Sequence, residues 1–120
     1  MKKLLIVDDQ ILYLKSLELA LKKKFEVTTA LSYNEAIEKL QQNPDLALVD
    51  VRLDEDDEDN VDGLKILEWI KQSSLTISVF MMSAYREFSY AEQALNLGAK
   101  HFFRKPIDVE NLQAVFEEKT

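Results

Sequence analysis

Four apolar runs in this chain each stop at residues suited to handling a phosphate or a cation. Leu4-Leu5-Ile6-Val7 stops at Asp8-Asp9, Leu46-Ala47-Leu48-Val49 at Asp50, Ile77 to Met82 at Ser83, and His101-Phe102-Phe103 at Arg104-Lys105. Taken alone, an acid after an apolar run is a turn residue or the cap of the next helix. Together these groups fit one task. A carboxylate is a poor nucleophile toward phosphorus when the donor is also anionic, so a divalent cation must offset charge as the phosphoryl group transfers. Asp8 and Asp9 can supply hard oxygen ligands. Mg²⁺ suits them because it keeps several waters and needs only one or two carboxylates and a phosphate oxygen. The Ser83 hydroxyl can donate to a phosphoryl oxygen, and Lys105 can set a compact positive charge against another. Asp50 is left as the reactive residue.

Placing these groups in one crevice requires a particular arrangement of elements. Leu4 to Val7 is an uninterrupted apolar run of the kind a strand buried on both faces needs. Ile11, Leu14, Leu17 and Leu21 then fall at helical spacing. Lys22-Lys23-Lys24 closes that helix, where basic residues in the last turn suit the helix dipole. Phe25 to Ala30 reads as a second strand. A helix over Glu35 to Gln42 follows, capped by Ser32 or Asn34 and ended by Asn43-Pro44. Beyond the Leu46 to Asp50 strand, Asp62-Gly63 leads into a helix to about Lys71, with Leu64, Leu67 and Trp69 or Ile70 turned inward. Ile77 to Met82 is the fourth strand, and a helix from about Arg86 to Leu97 ends at Gly98, the residue expected past a helix terminus. A short strand at His101-Phe102-Phe103 and a last helix, starting at Asp108 or Asn111 and running to about Glu118, complete the chain. Strands this apolar alternating with helices predict an α/β fold with a parallel sheet covered on both faces, whose ligands bind beyond the carboxyl ends of the strands where strand order reverses.

Composition narrows the class further. A chain of 120 residues, 47% hydrophobic, is one domain, residues 1–120, and its two glycines and two prolines leave no room for a flexible linker. The absence of cysteine excludes disulfide and thiolate chemistry. Only four apolar residues separate Met1-Lys2-Lys3 from Asp8, too few for a signal peptide or a membrane helix, so a soluble cytoplasmic protein is expected. The net charge of -7 disfavours direct binding to nucleic acid. Seven acids and no base stand between Asp54 and Asp62, and the other 15 acids balance 15 bases, so the excess negative charge belongs to one loop.

Leu5-Ile6-Val7-Asp8-Asp9, Leu48-Val49-Asp50, Met82-Ser83-Ala84, Gly98-Ala99 and Phe103-Arg104-Lys105-Pro106, in this order and at these spacings, resemble the receiver domain of two-component response regulators over essentially the whole chain. The resemblance implies a flavodoxin-like, doubly wound five-stranded sheet in the order 2-1-3-4-5 with five helices on its two faces. It implies that Asp50 takes phosphate from a sensor histidine kinase or a histidine phosphotransfer protein. It further implies that Asp9 and Asp50 ligate Mg²⁺, or Mn²⁺ in its place, that Asp8 acts through water, and that Arg52 contributes its backbone carbonyl. Ser83 and Lys105 would hold the phosphoryl group. Phe102 would turn inward as the switch residue, remodelling the surface of the fourth helix, fifth strand and fifth helix for an output domain, a partner protein or a homodimer. Arg52 and Tyr85 would flank the path of attacking water. The chain would be a signalling switch that catalyses only its own phosphorylation and dephosphorylation, standing alone or forming the N-terminal part of a longer regulator.

Two features depart from the family. Between Asp50 and Gly63 the chain lacks the usual proline and runs several residues longer through the acidic loop. That loop is not a Ca²⁺ loop of the EF-hand type: with Gly63 at the sixth position, Trp69 falls at the twelfth, where a bidentate Glu is needed. A solvated surface loop is its plain reading. Placed beside the cation site, it would also concentrate cations and repel anionic phosphodonors. The second departure is Ile107-Asp108 after Lys105-Pro106, which leans away from the winged-helix subgroup. Other functions fit less well. A phosphorylation-independent interaction module would normally lose one of the acids or the lysine. Phosphatases with an Asp nucleophile need a second acid where Arg52 stands, and a flavin protein needs a Gly-, Ser- or Thr-rich loop where Asp8-Asp9-Gln10 stand.

Overall fold

The computed structural model describes residues 1–84 and 89–120. Strands β1 (Lys2–Val7), β2 (Phe25–Ala30), β3 (Leu46–Asp50), β4 (Ser78–Ser83) and β5 (His101–Arg104) alternate with helices α1 (Ile11–Leu21), α2 (Tyr33–Leu40), α3 (Asp62–Gln72), α4 (Ala91–Asn96) and α5 (Val109–Lys119). All strand pairs are parallel, and the order is β2-β1-β3-β4-β5. This is the expected sheet.

Alternate side chains of each strand point to opposite faces, so a run apolar at every position feeds two cores. Leu5, Val7, Ala47, Val49, Val79, Met81 and Phe102 join buried residues of α2, α3 and α4 on one face. Leu4, Ile6, Leu46, Leu48, Phe80, Met82 and Phe103 join α1 and α5 on the other. The edge strand β2, paired on one side only, alternates half-buried and exposed residues until Ala30. Chain reversal from β1 to β3 across the sheet leaves the switch point of the strand order between them, beside Asp8 and Asp50.

Several local expectations are revised. Ile11 is 50% exposed, and the buried stripe of α1 is Leu14, Leu17 and Leu21. At 100° per residue, Ile11 lies about 90° from the mean direction of those three, which explains its exposure. Lys22 is the C-cap, so the lysines follow the helix and do not occupy its last turn. Helix α2 begins at Tyr33, because Ser32 caps it by accepting from the Glu35 N–H at 3.2 Å. It stops at Leu40, and Asn43 takes a left-handed φ of 54°. In α3 it is Ile70 that is buried, with Trp69 half-buried against the core, and Ile66 joins the buried set. Helix α4 covers only Ala91–Asn96; the part of the expected helix at residues 86–88 lies outside the described residues, as does Tyr85. Gly98 ends α4 with φ 101°, a conformation that other residues rarely adopt. Asp108 caps α5 through the Glu110 N–H at 3.0 Å.

Candidate phosphoryl-acceptor and metal site

The carboxyl ends of β1, β3, β4 and β5 bring the chemistry-bearing residues together. Asp8 follows β1, its N–H donating to the Ala30 carbonyl at 3.1 Å, so the ladder with β2 fixes its backbone. Asp50 and Ser83 are the last residues of β3 and β4. Lys105 follows β5 and donates its N–H to the Ser83 carbonyl at 2.8 Å. Asp8 and Ser83 are 0% exposed and Asp50 is 4% exposed. Such burial of two acids requires a compensating cation.

Lys105 supplies it. Its Nζ lies 2.7 Å from Asp8 Oδ2 and 2.9 Å from Asp50 Oδ2. Burial pulls the lysine pKa down, but the charges of Asp50 and Asp8 and their hydrogen bonds outweigh it, leaving the ammonium held above its ordinary value. The same ammonium stands 4.8 Å from the ring centroid of Tyr13, whose hydroxyl accepts from the Ile107 N–H at 2.9 Å. Burial raises the Tyr13 pKa and keeps the phenol neutral. Nothing in the spacing of Tyr13 within an amphipathic helix marks it as the platform for Lys105.

One carboxylate oxygen from each of Asp8, Asp9 and Asp50 falls within 4.8 Å of the others, a spacing that suits a cation with hard oxygen ligands. Asp8 Oδ2 is fully buried and, although ion-paired with Lys105, makes no hydrogen bond among the described residues. Its other oxygen accepts from the Gln10 N–H at 2.9 Å. Burial holds the Asp9 pKa above the usual carboxylate range, and the charges of Asp8 and Glu55 add to the effect. A divalent cation would relieve this crowding, so the donor set fits one. Lys105→Met removes the ammonium that touches both buried acids. We expect it to cost on the order of 2 kcal/mol in metal-free denaturation, below the 3–5 of a fully buried pair, with Mg²⁺ restoring part of the loss.

Ser83 Oγ donates to the Ala84 carbonyl at 3.0 Å. Phe102 is 8% exposed within the core on the α4 side of the sheet, paired in register with Met81. Arg52 reaches into the acidic loop, its Nη2 donating to the Glu55 carbonyl at 3.2 Å.

The loop is ordered by its own short side chains. Asp54 and Asp57 accept from the N–H groups of Asp56 and Asp59, each at 3.0 Å. Asn60 Oδ1 accepts from both Leu53 N–H and Asp62 N–H at 3.0 Å, tying the loop to the start of α3. Asn60→Ala is expected to lower stability by about 1–2 kcal/mol, read by urea denaturation, because two backbone donors lose their acceptor. The loop then folds back: the Glu55 N–H donates to Asp9 Oδ2 at 3.1 Å, and Gln10 Nε2 hydrogen-bonds Glu55 Oε1. Asp9, Asp50, Arg52, Glu55 and Lys105 line one pocket. Sequence reasoning placed the loop beside the site but did not single out Glu55. It also read Gly63 only as the start of a helix. A Cβ on Gly63 would lie 1.9 Å from the Asp50 carbonyl oxygen, so this glycine is what lets α3 approach the end of β3. Its signal was available: it is one of only two glycines in the chain.

The comparisons with known proteins agree with this geometry. A family model described as the response regulator receiver domain matches residues 4–117. The chain is 36% identical over 117 residues to the transcriptional regulatory protein ZraR of Escherichia coli (strain K12), covering 96% of this chain and 25% of that protein. It is 30% identical over 114 residues to the sporulation initiation phosphotransferase F of Bacillus subtilis (strain 168), covering 93% of this chain and 88% of that one. A crystal structure of a response regulator receiver domain protein (CheY-like) from Methanospirillum hungatei JF-1 superposes with a TM-score of 0.86 at 27% identity, over 99% of this chain and 93% of its own. The chain thus spans about a quarter of the length of ZraR.

Proposed function

The chain belongs to the response regulator receiver family of two-component signalling, and from that premise we propose that Asp50 accepts a phosphoryl group from a sensor histidine kinase or a histidine phosphotransfer protein. The observation that carries this reading is the Lys105 ammonium bridging buried Asp8 and Asp50 at the edge of an open pocket. Asp8, Asp9 and Asp50 would hold Mg²⁺, or Mn²⁺ in its place, with the Arg52 backbone carbonyl as a further ligand. The cation, when bound, offsets negative charge on the phosphoryl oxygens.

The remaining work falls to the chain's own groups. A carboxylate oxygen of Asp50 attacks phosphorus as the bond to the donor's leaving atom breaks, and the departing group takes that electron pair. Lys105, already within 2.9 Å of Asp50 Oδ2, stays in reach of a phosphoryl group seated there. Ser83 exchanges its bond to the Ala84 carbonyl for one to a phosphoryl oxygen. That movement, with Phe102 turning behind it, biases two conformations of the α4-β5-α5 surface. The state of that surface is delivered to an attached output domain, a partner protein or a second copy of the chain. Among the described residues no helix is long and apolar enough to cross a membrane. Asp8, Asp9, Asp50, Ser83 and Lys105 are all present in the chain, which favours this reading over a phosphorylation-independent interaction module.

The test is incubation with acetyl phosphate and Mg²⁺, followed by intact-mass measurement and peptide mapping. A gain of one phosphoryl group on the peptide containing Asp50, removed by hydroxylamine, is expected. Labelling confined to any other residue overturns the assignment.

A further inference from the structure

We propose that Glu55 is a specificity-determining residue of the phosphorylation site: its carboxylate strengthens divalent-cation binding at Asp8, Asp9 and Asp50 and discriminates against small, multiply charged phosphodonors. The inference rests on the reading of Asp50 given above. Three observations select Glu55 from the seven acids of the loop. Its backbone N–H donates to Asp9 Oδ2 at 3.1 Å, which docks this point of the loop onto the acidic pair. Gln10, the residue after that pair, hydrogen-bonds its side-chain oxygen and so holds the carboxylate at the site. Arg52 grips the Glu55 carbonyl at 3.2 Å, and both residues line the pocket that Asp50 and Lys105 line.

Three carboxylates, of Asp8, Asp9 and Asp50, lie within 4.8 Å of one another against the single Lys105 ammonium that pairs with Asp8 and Asp50, so the cluster has room in its charge balance for a further positive partner. A fourth carboxylate at the rim suits that partner in a specific way. It can accept hydrogen bonds from the waters a hydrated cation retains, adding attraction without entering the inner coordination shell. The same negative charge faces any donor that enters over the rim. A small anion must meet it directly, and the penalty rises with the donor's charge. Glu55 is the acid of this loop among the residues lining the pocket, and charges set farther from it are the more strongly screened by salt.

The experiment compares Glu55→Gln with Glu58→Gln, which removes the same charge from the same exposed loop but not from the pocket. The glutamine at position 55 keeps an oxygen for Gln10 and leaves the backbone bond to Asp9 intact. Mg²⁺ affinity is measured by calorimetric titration at low ionic strength, and labelling rates at saturating Mg²⁺ with acetyl phosphate and with the less charged phosphoramidate. Glu55→Gln is expected to weaken Mg²⁺ binding about three- to tenfold, an effect that shrinks in high salt. It is also expected to raise the acetyl phosphate rate about two- to fivefold relative to the phosphoramidate rate. Glu58→Gln should change both by less than half as much. Equal effects of the two substitutions, or no effect of either, overturn the proposal. If the wild-type chain is not labelled at all, the reading of Asp50 falls instead, and the Mg²⁺ titration alone decides for or against Glu55.

Discussion

Asp50→Asn is expected to abolish phosphoryl transfer to this chain from acetyl phosphate or a kinase, with no residual label on the peptide that carries position 50. The substitution conserves shape, so Lys105 still finds an oxygen where it now meets Asp50 Oδ2 at 2.9 Å. What disappears is the carboxylate proposed as the nucleophile and one of the three acids of the Asp8, Asp9 and Asp50 group. Transfer needs both. The fold should survive, because the change removes one of three mutually repelling acids and leaves both cores intact. A melting temperature in metal-free buffer equal to or above that of the wild type separates lost chemistry from lost structure. Wild-type levels of label in Asp50→Asn would locate the acceptor elsewhere.

Gly63→Ala is expected to be the most damaging of small substitutions outside the pocket. The added methyl would sit 1.9 Å from the Asp50 carbonyl oxygen and 2.8 Å from both Asp50 C and Val51 Cα. Every one of those atoms is backbone, so no side chain can rotate away. The peptide cannot yield readily either, since Val51 N–H is bonded to the Met82 carbonyl at 3.1 Å and Gly63 N–H to the Val51 carbonyl at 2.8 Å. The start of α3 must therefore move off the sheet. A cost of about 3 kcal/mol, the upper end for overpacked sites, corresponds to roughly 12 °C in melting temperature for a domain of this size. Because the displaced start of α3 is bonded to the backbone just after Asp50 and carries the end of the acidic loop with it, Mg²⁺ affinity should fall with stability, which a core cavity remote from the site would not cause. A melting temperature within a degree or two of wild type would show that α3 has slack the packing does not reveal.

Much of this fold could be read from the chain because its central strands are buried on both faces. Leu4 to Val7 and Leu46 to Val49 have no polar position to confuse their period, and each ends where a site residue begins. Asp8, Asp9, Asp50, Ser83 and Lys105 are brought together as those strand ends predict. Where the reading slipped, the deciding interaction was either short or nonlocal. Ser32 pulled the start of α2 forward through one side-chain bond, and α4, only six residues long, offers too few turns for a reliable stripe. Tyr13 and Glu55 were invisible as site residues because their partners, Lys105 and Asp9, are distant in sequence. Gly63 was visible as a glycine, but its closeness to Asp50 is a property of how α3 meets β3.

The hydrogen bond from Gly63 N–H to the Val51 carbonyl makes the acidic loop a detour that leaves and re-enters the domain at one doorway. Sequence inserted inside such a doorway need not shift the frame around it, and the entropic cost of a longer detour rises only slowly with its length. Residues 56–59, beyond the Glu55 anchor, therefore form an insertion port. A fluorescent or epitope tag grafted there would sit in the loop next to the residue that lines the pocket while the strand bearing Asp50 keeps its position, turning a detour of the chain into a handle for reading site occupancy.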